Sequence, residues 1–148
     1  MLSRSLLNSL NTMTRTTQMQ QQSVVVRHFS SPGEGGRIPS GTMALVVKHD
    51  GENGFSREMI DIAEYVDGKK VIIVGYPGAF TTQCMTRHLP DFISKADEIK
   101  RAGCDEILAL SVNDPFVVTA FAEKLGGEHL VNYVADGNGE ITKALGLE

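Results

Sequence analysis

Apolar and polar positions alternate in blocks along the chain, and the apolar blocks predict strands. Residues 71–76 form a near-continuous run rich in β-branched side chains, which is typical of a strand buried on both faces. Residues 106–112 have the same character and predict a second buried strand. Shorter apolar runs at 43–47 and 130–134 predict two further strands.

Helical spacing marks the segments between these strands. Residues 84–101 carry apolar side chains on one side and charges on the other, and Pro90 is expected to kink or restart that helix. Asp114 followed by Pro115 is a helix cap with proline at the first helical position, which predicts another helix start. The apolar spacing of residues 57–66 predicts a short helical turn.

With a short terminal helix at 141–147, strands and helices alternate along the chain. This order predicts an α/β fold, a mostly parallel sheet flanked by helices. A chain of 148 residues with 41% apolar and 22% charged composition is long enough for one globular domain. No apolar stretch approaches the roughly 18 residues needed to cross a bilayer, so we expect a soluble protein without a membrane partner.

The first 29 residues are arginine-containing, acid-poor and rich in serine, threonine and glutamine. The first acidic residue of the chain is Glu34, and amphipathic segments of this composition are typical of mitochondrial transit peptides. We therefore predict a cleaved transit peptide at 1–29, a linker at 30–42, a domain at 43–148 and localisation in the mitochondrial matrix. An ordinary low-complexity tail is the alternative.

Charge and cysteine content exclude several functions. Residues 1–29 hold three of the 14 basic residues and none of the 18 acidic ones, so a formal charge of −7 remains without them. No basic stripe is left to follow a nucleic-acid backbone, and nucleic-acid binding is not expected. Cys84 and Cys104 lack the spacing of a zinc site or a disulfide framework, so we predict two free thiols and no metal.

Cys84 closes the stretch YPGAFTTQC at 76–84, between a predicted strand and a predicted helix. Active sites in α/β folds collect at the carboxyl ends of sheet strands. Unpaired N–H groups and the positive end of the helix dipole favour a thiolate there, and a cysteine pKa of about 8.5 can fall below about 7 in such a place. Cys84 is therefore a candidate nucleophile, with a small buried packing residue as the alternative.

Four short segments together resemble the peroxiredoxin-5-type peroxiredoxins. They are PGAFTTQC at 77–84, RHLP at 87–90, LSVND at 110–114 and ADG at 135–137. The family pattern P-x-x-x-T-x-x-C matches Pro77, Thr81 and Cys84. The resemblance runs from residue 69 to 148, and more faintly from residue 37, and it implies a thioredoxin-like fold.

The resemblance also implies a thiol-dependent peroxidase that acts on hydrogen peroxide and small alkyl hydroperoxides. Cys84 is then the peroxidatic cysteine, which becomes a sulfenic acid when it attacks the peroxide. Thr81 is the residue that polarises the peroxide, and Pro77 screens the pocket. An external thiol of the thioredoxin or glutathione/glutaredoxin type is the expected reductant, no cofactor is implied, and a homodimer is expected.

In that family the domain continues beyond the point matched by Glu148, into further strands, a last helix and an arginine beside the thiolate. The resemblance therefore implies a C-terminally short domain with an unpaired sheet edge, whose activity is impaired if nothing replaces the arginine. A catalytically weakened redox sensor or interaction subunit in mitochondria remains the alternative. Arg87 is a hypothetical replacement cation, whereas His88 and Cys104 are interpreted as packing residues.

Overall fold

The fold is a five-stranded mixed sheet with helices on both faces. The computed structural model describes residues 35–127 and 129–147, so the predicted transit peptide lies outside the described residues. The strands are β1 (Met43–His49), β2 (Phe55–Asp61), β3 (Val71–Gly75), β4 (Glu106–Ser111) and β5 (Asn132–Ala135). The helices are α1 (Ile62–Val66), α2 (Leu89–Arg101), α3 (Pro115–Leu125) and α4 (Glu140–Ala144).

The strands lie in the order β2-β1-β5-β4-β3. Strands β3, β4 and β5 are parallel, whereas β1 is antiparallel to both of its neighbours. This arrangement confirms the predicted α/β class. The three parallel strands end at the same edge of the sheet, and the loops that follow them meet there.

Two apolar layers hold the helices against the sheet. One face packs side chains of α2 and α3, including the fully buried Phe121 and Leu89, against β3, β4 and β5. The other face packs α1 and α4 through Ile62 and Ile141 against Leu108. Burial of each such side chain contributes about 1.5–3 kcal/mol, so both layers stabilise the sheet. None of the helices in the described part of the chain is long and apolar enough to cross a membrane.

The helix start predicted at Asp114 and Pro115 is confirmed, whereas the terminal helix predicted at 141–147 is α4 and ends at Ala144. The Asp114 carboxylate accepts hydrogen bonds from the N–H groups of Phe116 (2.9 Å) and Val117 (3.1 Å), which caps α3. At Pro90 the predicted 84–101 helix divides, since a π-helical turn over Cys84–His88 precedes α2. Proline cannot donate a backbone hydrogen bond and crowds the preceding turn, and the wider turn accommodates it.

Two expectations are wrong, the first of them in part. Only the second half of the segment 57–66 is helical, because residues 57–61 belong to β2, which pairs with β1 along its whole length, from Met43 opposite Asp61 to His49 opposite Phe55. Pairing with a neighbouring strand overrides a weak helical spacing, and only α1 at its end is helical.

Strand β3 is not buried on both faces. Among the described residues it pairs with β4 alone, which leaves it at the edge of the sheet. Ile72 is 37% exposed, and only Val74 of this strand is buried. An apolar β-branched run predicts the strand itself, but its burial depends on what covers its free side.

Candidate active site

Cys84 lies in the first turn of the helix that follows β3, and its side chain is buried. Helical geometry begins at Thr82, and the residue is only 2% exposed. Its thiol belongs to the apolar cluster on the α2 and α3 face, which includes Tyr76, Leu89 and Phe121. The predicted junction of strand and helix is therefore confirmed, and it places the thiol inside the apolar layer.

Thr81 immediately precedes this helix and is exposed. Its carbonyl accepts the N–H of Met85 at 3.0 Å, the first regular turn of the helix. Its hydroxyl donates to the carbonyl of Gly78 at 2.9 Å. The structure thus brings Thr81 within one turn of Cys84, with the hydroxyl proton directed at its own loop.

The loop between Pro77 and Thr81 is held in a strained conformation. Phe80 has φ +62°, in the left-handed region that bulky side chains rarely adopt, and such a residue costs on the order of 1–3 kcal/mol. Two contacts hold it there. The Ala79 N–H donates to Asn113 Oδ1 at 2.8 Å, and the half-exposed Phe80 ring lies 5.1 Å from the ring of Phe121.

Residues of the LSVND and ADG segments position this loop and α4. Asn113 Oδ1 also accepts from the Ser111 hydroxyl at 3.2 Å, so one amide oxygen joins β4 to the Cys84 loop. Asp136 is buried and accepts hydrogen bonds from Ile141 N (3.1 Å), Thr142 N (2.8 Å) and Thr142 Oγ1 (2.7 Å). Sequence reasoning assigned neither residue a role, although both lie in segments that carry the family resemblance.

Pro77 is exposed at the mouth of a cleft of about 380 Å³ at the carboxyl ends of β3 and β4. The cleft is lined by Gly75, Tyr76, Pro77, Leu110, Ser111, Val112, Thr142 and Leu147. A wider groove of about 780 Å³ lies between residues 36–40 and 63–68, and neither a cysteine nor a histidine lines it. Pro77 lines the smaller cleft, whereas Cys84 and Thr81 do not.

Tyr76 is the residue of this site that sequence reasoning missed. It is 4% exposed, and its hydroxyl oxygen has no hydrogen-bond partner of acceptable geometry among the described residues. Burial raises the pKa of Tyr76 to about 12, the nearby Ser111 side chain lowers it, and the charge of Cys84 raises it. The hydroxyl is therefore protonated at neutral pH.

The remaining candidates lie elsewhere. Arg87 is exposed and forms no ion pair within residues 35–127 and 129–147, so no contact supports it as a replacement cation. His88 packs edge-on against Phe92, with ring centroids 5.9 Å apart, as a packing residue does. His49 and His129 meet with ring centroids 4.6 Å apart, but the described residues contain no group of three ligands suited to a metal ion.

Comparison with protein families identifies a Redoxin match over residues 34–148. Among curated proteins of Arabidopsis thaliana, peroxiredoxin-2D is 43% identical over 111 residues, which cover 75% of this chain and 65% of the relative. Mitochondrial peroxiredoxin-2F is 33% identical over 96% of this chain and 73% of its own length. Chloroplastic peroxiredoxin-2E is 34% identical over 98% of this chain and 63% of its own.

Solved structures give the same result. Reduced Prx3 from Vibrio vulnificus in complex with hydrogen peroxide is 35% identical, with a TM-score of 0.63 over 80% of this chain and 69% of the bacterial chain. Among the curated relatives, the chain spans 65% of the length of peroxiredoxin-2D. The family match, the sheet topology and the cysteine at the β3 junction together show that this chain belongs to the redoxin family, as a peroxiredoxin of thioredoxin-like fold.

Proposed function

We propose that the chain acts as a thiol-dependent peroxidase that reduces hydrogen peroxide and small alkyl hydroperoxides at Cys84. The observation that carries this proposal is the position of the thiol, in the first turn of a helix at the carboxyl end of β3. Backbone N–H groups of a helix start favour an anion, and Thr81 lies three residues away. Similarity to peroxiredoxins supports the same activity.

The reaction balances with a thiol as the reductant. The Cys84 thiolate attacks the terminal peroxide oxygen, so that an S–O bond forms while the O–O bond breaks. The leaving alkoxide or hydroxide takes a proton and departs as an alcohol or water. One thiol then displaces water from the sulfenic acid to form a mixed disulfide, and a second thiol releases Cys84 reduced.

Thr81 and Pro77 support this chemistry from the protein surface. In this proposal the Thr81 hydroxyl, which donates to the Gly78 carbonyl in the structure, turns to donate to a peroxide oxygen. A donor aimed at the reacting oxygens stabilises the charge that develops on them. Pro77, which is exposed after the end of β3, is proposed to screen the thiol from bulk water.

An external thiol of the thioredoxin or glutathione/glutaredoxin type completes the cycle. Cys104 donates its S–H to the Glu106 carbonyl at 3.1 Å and packs at the amino end of β4, whereas Cys84 follows the carboxyl end of β3. A resolving role for Cys104 is therefore not part of the proposal. A homodimer remains an expectation from the family.

We place the protein in an organelle, and more specifically in the mitochondrial matrix. The composition of residues 1–29 supports an organellar address. Two relatives of similar identity are described as mitochondrial and chloroplastic, respectively. Import of a fusion of residues 1–34 to a fluorescent protein into isolated mitochondria tests the assignment, and retention outside them contradicts it.

A redox sensor is the second candidate, because Cys84 is 2% exposed and a buried thiol turns over slowly unless its loop opens. Stopped-flow mixing of the full chain with hydrogen peroxide separates the two functions. If the chain is a peroxidase, its second-order rate constant should lie far above that of a free thiol. This rapid reaction should be lost in Cys84→Ser and kept in Cys104→Ser. A wild-type rate equal to that of a free thiol overturns it.

The role of Thr81 is measured in the same assay. Removing one donor to developing charge costs roughly 100-fold or more in rate, so Thr81→Val should lose about that much, while Thr81→Ser keeps most of the rate. Equal rates for the two variants would remove Thr81 from the mechanism.

A further inference from the structure

The thiol of Cys84 is closed off from large reactants. Its side chain is 2% exposed and packs in the apolar layer with Leu89 and Phe121. In the proposed cycle an external thiol must bring its own sulfur within bonding distance of this one, and the rate of such an exchange depends on access. A part of the chain that covers Cys84 therefore has to move before a protein thiol or a glutathione-sized thiol can react with it.

The Cys84 loop, residues 77–81, is attached to the rest of the protein by few contacts. Among the described residues, one hydrogen bond joins it to an element distant in the chain, from the Ala79 N–H to Asn113 Oδ1 at 2.8 Å. The Phe80 ring adds a contact to the ring of Phe121, with centroids 5.1 Å apart. The other hydrogen bonds of the loop stay within it or join it to the first turn of the following helix.

Asn113 itself is fixed from the other side. Its Oδ1 also accepts the Ser111 hydroxyl at 3.2 Å, at the end of β4. The next residue, Asp114, is the cap of α3, so the short connection between β4 and α3 is held at both ends. When the bond between Ala79 and Asn113 breaks, the loop is therefore the part that moves.

The closed position of the loop is strained. Phe80 has φ +62°, and a bulky residue in this region raises the energy of the conformation that contains it. The strain of one such residue is of the same order as the contribution of one neutral hydrogen bond, so the bond to Asn113 offsets it. Loss of the bond favours an open loop, in which Phe80 can relax.

We infer that Asn113 is a positioning residue that keeps the loop closed over Cys84 and thereby controls the access of the reducing thiol. The inference rests on the proposed function insofar as an external thiol is the reductant. Asn113 acts through the Ala79 N–H and has no contact with the sulfur in the structure. Its side chain therefore sets how often the loop opens.

The test is the reaction of the reduced full chain with bis(2-hydroxyethyl) disulfide, a neutral probe, followed for each cysteine by mass spectrometry. The thiolate attacks one sulfur of the probe, so that a mixed disulfide forms and 2-mercaptoethanol leaves. Asn113→Ala should make Cys84 react about tenfold faster, because loss of one hydrogen bond raises the open fraction by about that factor. Asn113→Asp keeps the acceptor oxygen and should stay within about twofold of the wild type.

Three controls separate an open loop from a general loss of stability. The Cys104 rate in the same samples should stay constant. Tyr65→Phe removes a hydrogen bond to Glu106 on the opposite face of the sheet and should leave the Cys84 rate unchanged. Low concentrations of urea should also change the Cys84 rate little, since local opening exposes little surface, whereas global unfolding responds steeply.

Asn113→Ser covers the case in which the alanine variant folds poorly. Its hydroxyl leaves Ser111 a partner but is too short to reach the Ala79 N–H, so the Cys84 rate should rise as in Asn113→Ala. Equal Cys84 rates in the wild type and in both variants overturn the inference. An equal rise in Tyr65→Phe overturns it as well.

The disulfide assay uses no peroxide, so its outcome is separable from that of the proposed function. If the wild-type chain fails to react with peroxide but the Asn113 variants speed the exchange at Cys84, the peroxidase proposal falls and the control of access stands. If peroxide reacts rapidly and the variants leave the exchange unchanged, the inference falls alone.

Discussion

Asn113 connects the Cys84 loop to the sheet through a single side-chain oxygen, so its removal tests how the site is held. The Asn113 Oδ1 atom accepts from Ala79 N at 2.8 Å and from Ser111 Oγ at 3.2 Å. Next to Ala79, Phe80 is held at φ +62°. Asn113→Ala therefore removes the anchor of a strained segment.

The expected loss can be worked from these bonds. A neutral hydrogen bond contributes about 0.5–1.5 kcal/mol, and the upper half of that range suits the short bond to Ala79. Ala79 is half-buried, so water can partly replace the lost acceptor and no full burial penalty is added. With a smaller contribution from the Ser111 bond, the free energy of unfolding should fall by about 1.5 kcal/mol.

The effect on the loop should be more local than the effect on the whole domain. Because opening of the loop also releases the strain at Phe80, the Ala79 amide should exchange with solvent about tenfold faster in Asn113→Ala, the factor that corresponds to about 1.4 kcal/mol. Urea unfolding followed by circular dichroism measures the first quantity, and amide exchange by NMR measures the second.

Asn113→Asp is the matched control, because it keeps an acceptor oxygen of the same reach. Its free energy of unfolding should stay within about 0.5 kcal/mol of the wild type, the range typical of substitutions that break no buried contact. Equal losses in the alanine and aspartate variants, with unchanged exchange at Ala79, would refute the claim that this oxygen anchors the loop.

Two further changes should affect stability. Asp136→Ala removes a buried carboxylate that accepts three hydrogen bonds from α4. It should lower the free energy of unfolding, measured in urea, by about 3 kcal/mol, whereas the surface control Glu140→Ala should change it little. Near-equal losses in the two variants would contradict this prediction. The pKa of Tyr76 is raised to about 12 in the folded chain from about 10 in the unfolded chain. This difference contributes up to about 2.7 kcal/mol to the free energy of unfolding. The contribution is complete below pH 10 and is lost as the pH rises towards 12. Between pH 8 and pH 12 the midpoint temperature of thermal unfolding should therefore fall more steeply for the wild type than for Tyr76→Phe. Parallel curves for the two proteins would exclude the effect.

The sequence predicted those parts of the fold whose determinants are local. Asp114 and Pro115 start α3 because the cap and the fixed φ of proline act within one turn. The apolar runs predicted β3, β4 and β5 within one or two residues, because β-branched and apolar residues fit a strand wherever it pairs. Cys84 was placed at the start of a helix from the order of these elements alone.

What the sequence did not predict depends on distant partners. The apolar spacing of residues 57–66 could not reveal that β1 would pair with the first half of them. The run at 71–76 predicted a strand, but not that it would lie at the sheet edge among the described residues. Asn113 was visible only as part of a resembling segment, since its bond to Ala79 joins residues 34 positions apart.

Cys84 was first considered as either a nucleophile or a packing residue, and its surroundings make these alternatives compatible. The side chain fills the apolar layer beside Leu89 and Phe121, which is the position of a packing residue. An apolar pocket opposes charge, so a thiolate there depends on the few donors that the fold supplies. The helix start supplies such donors, so a thiol that packs in the core is also placed to act as the nucleophile.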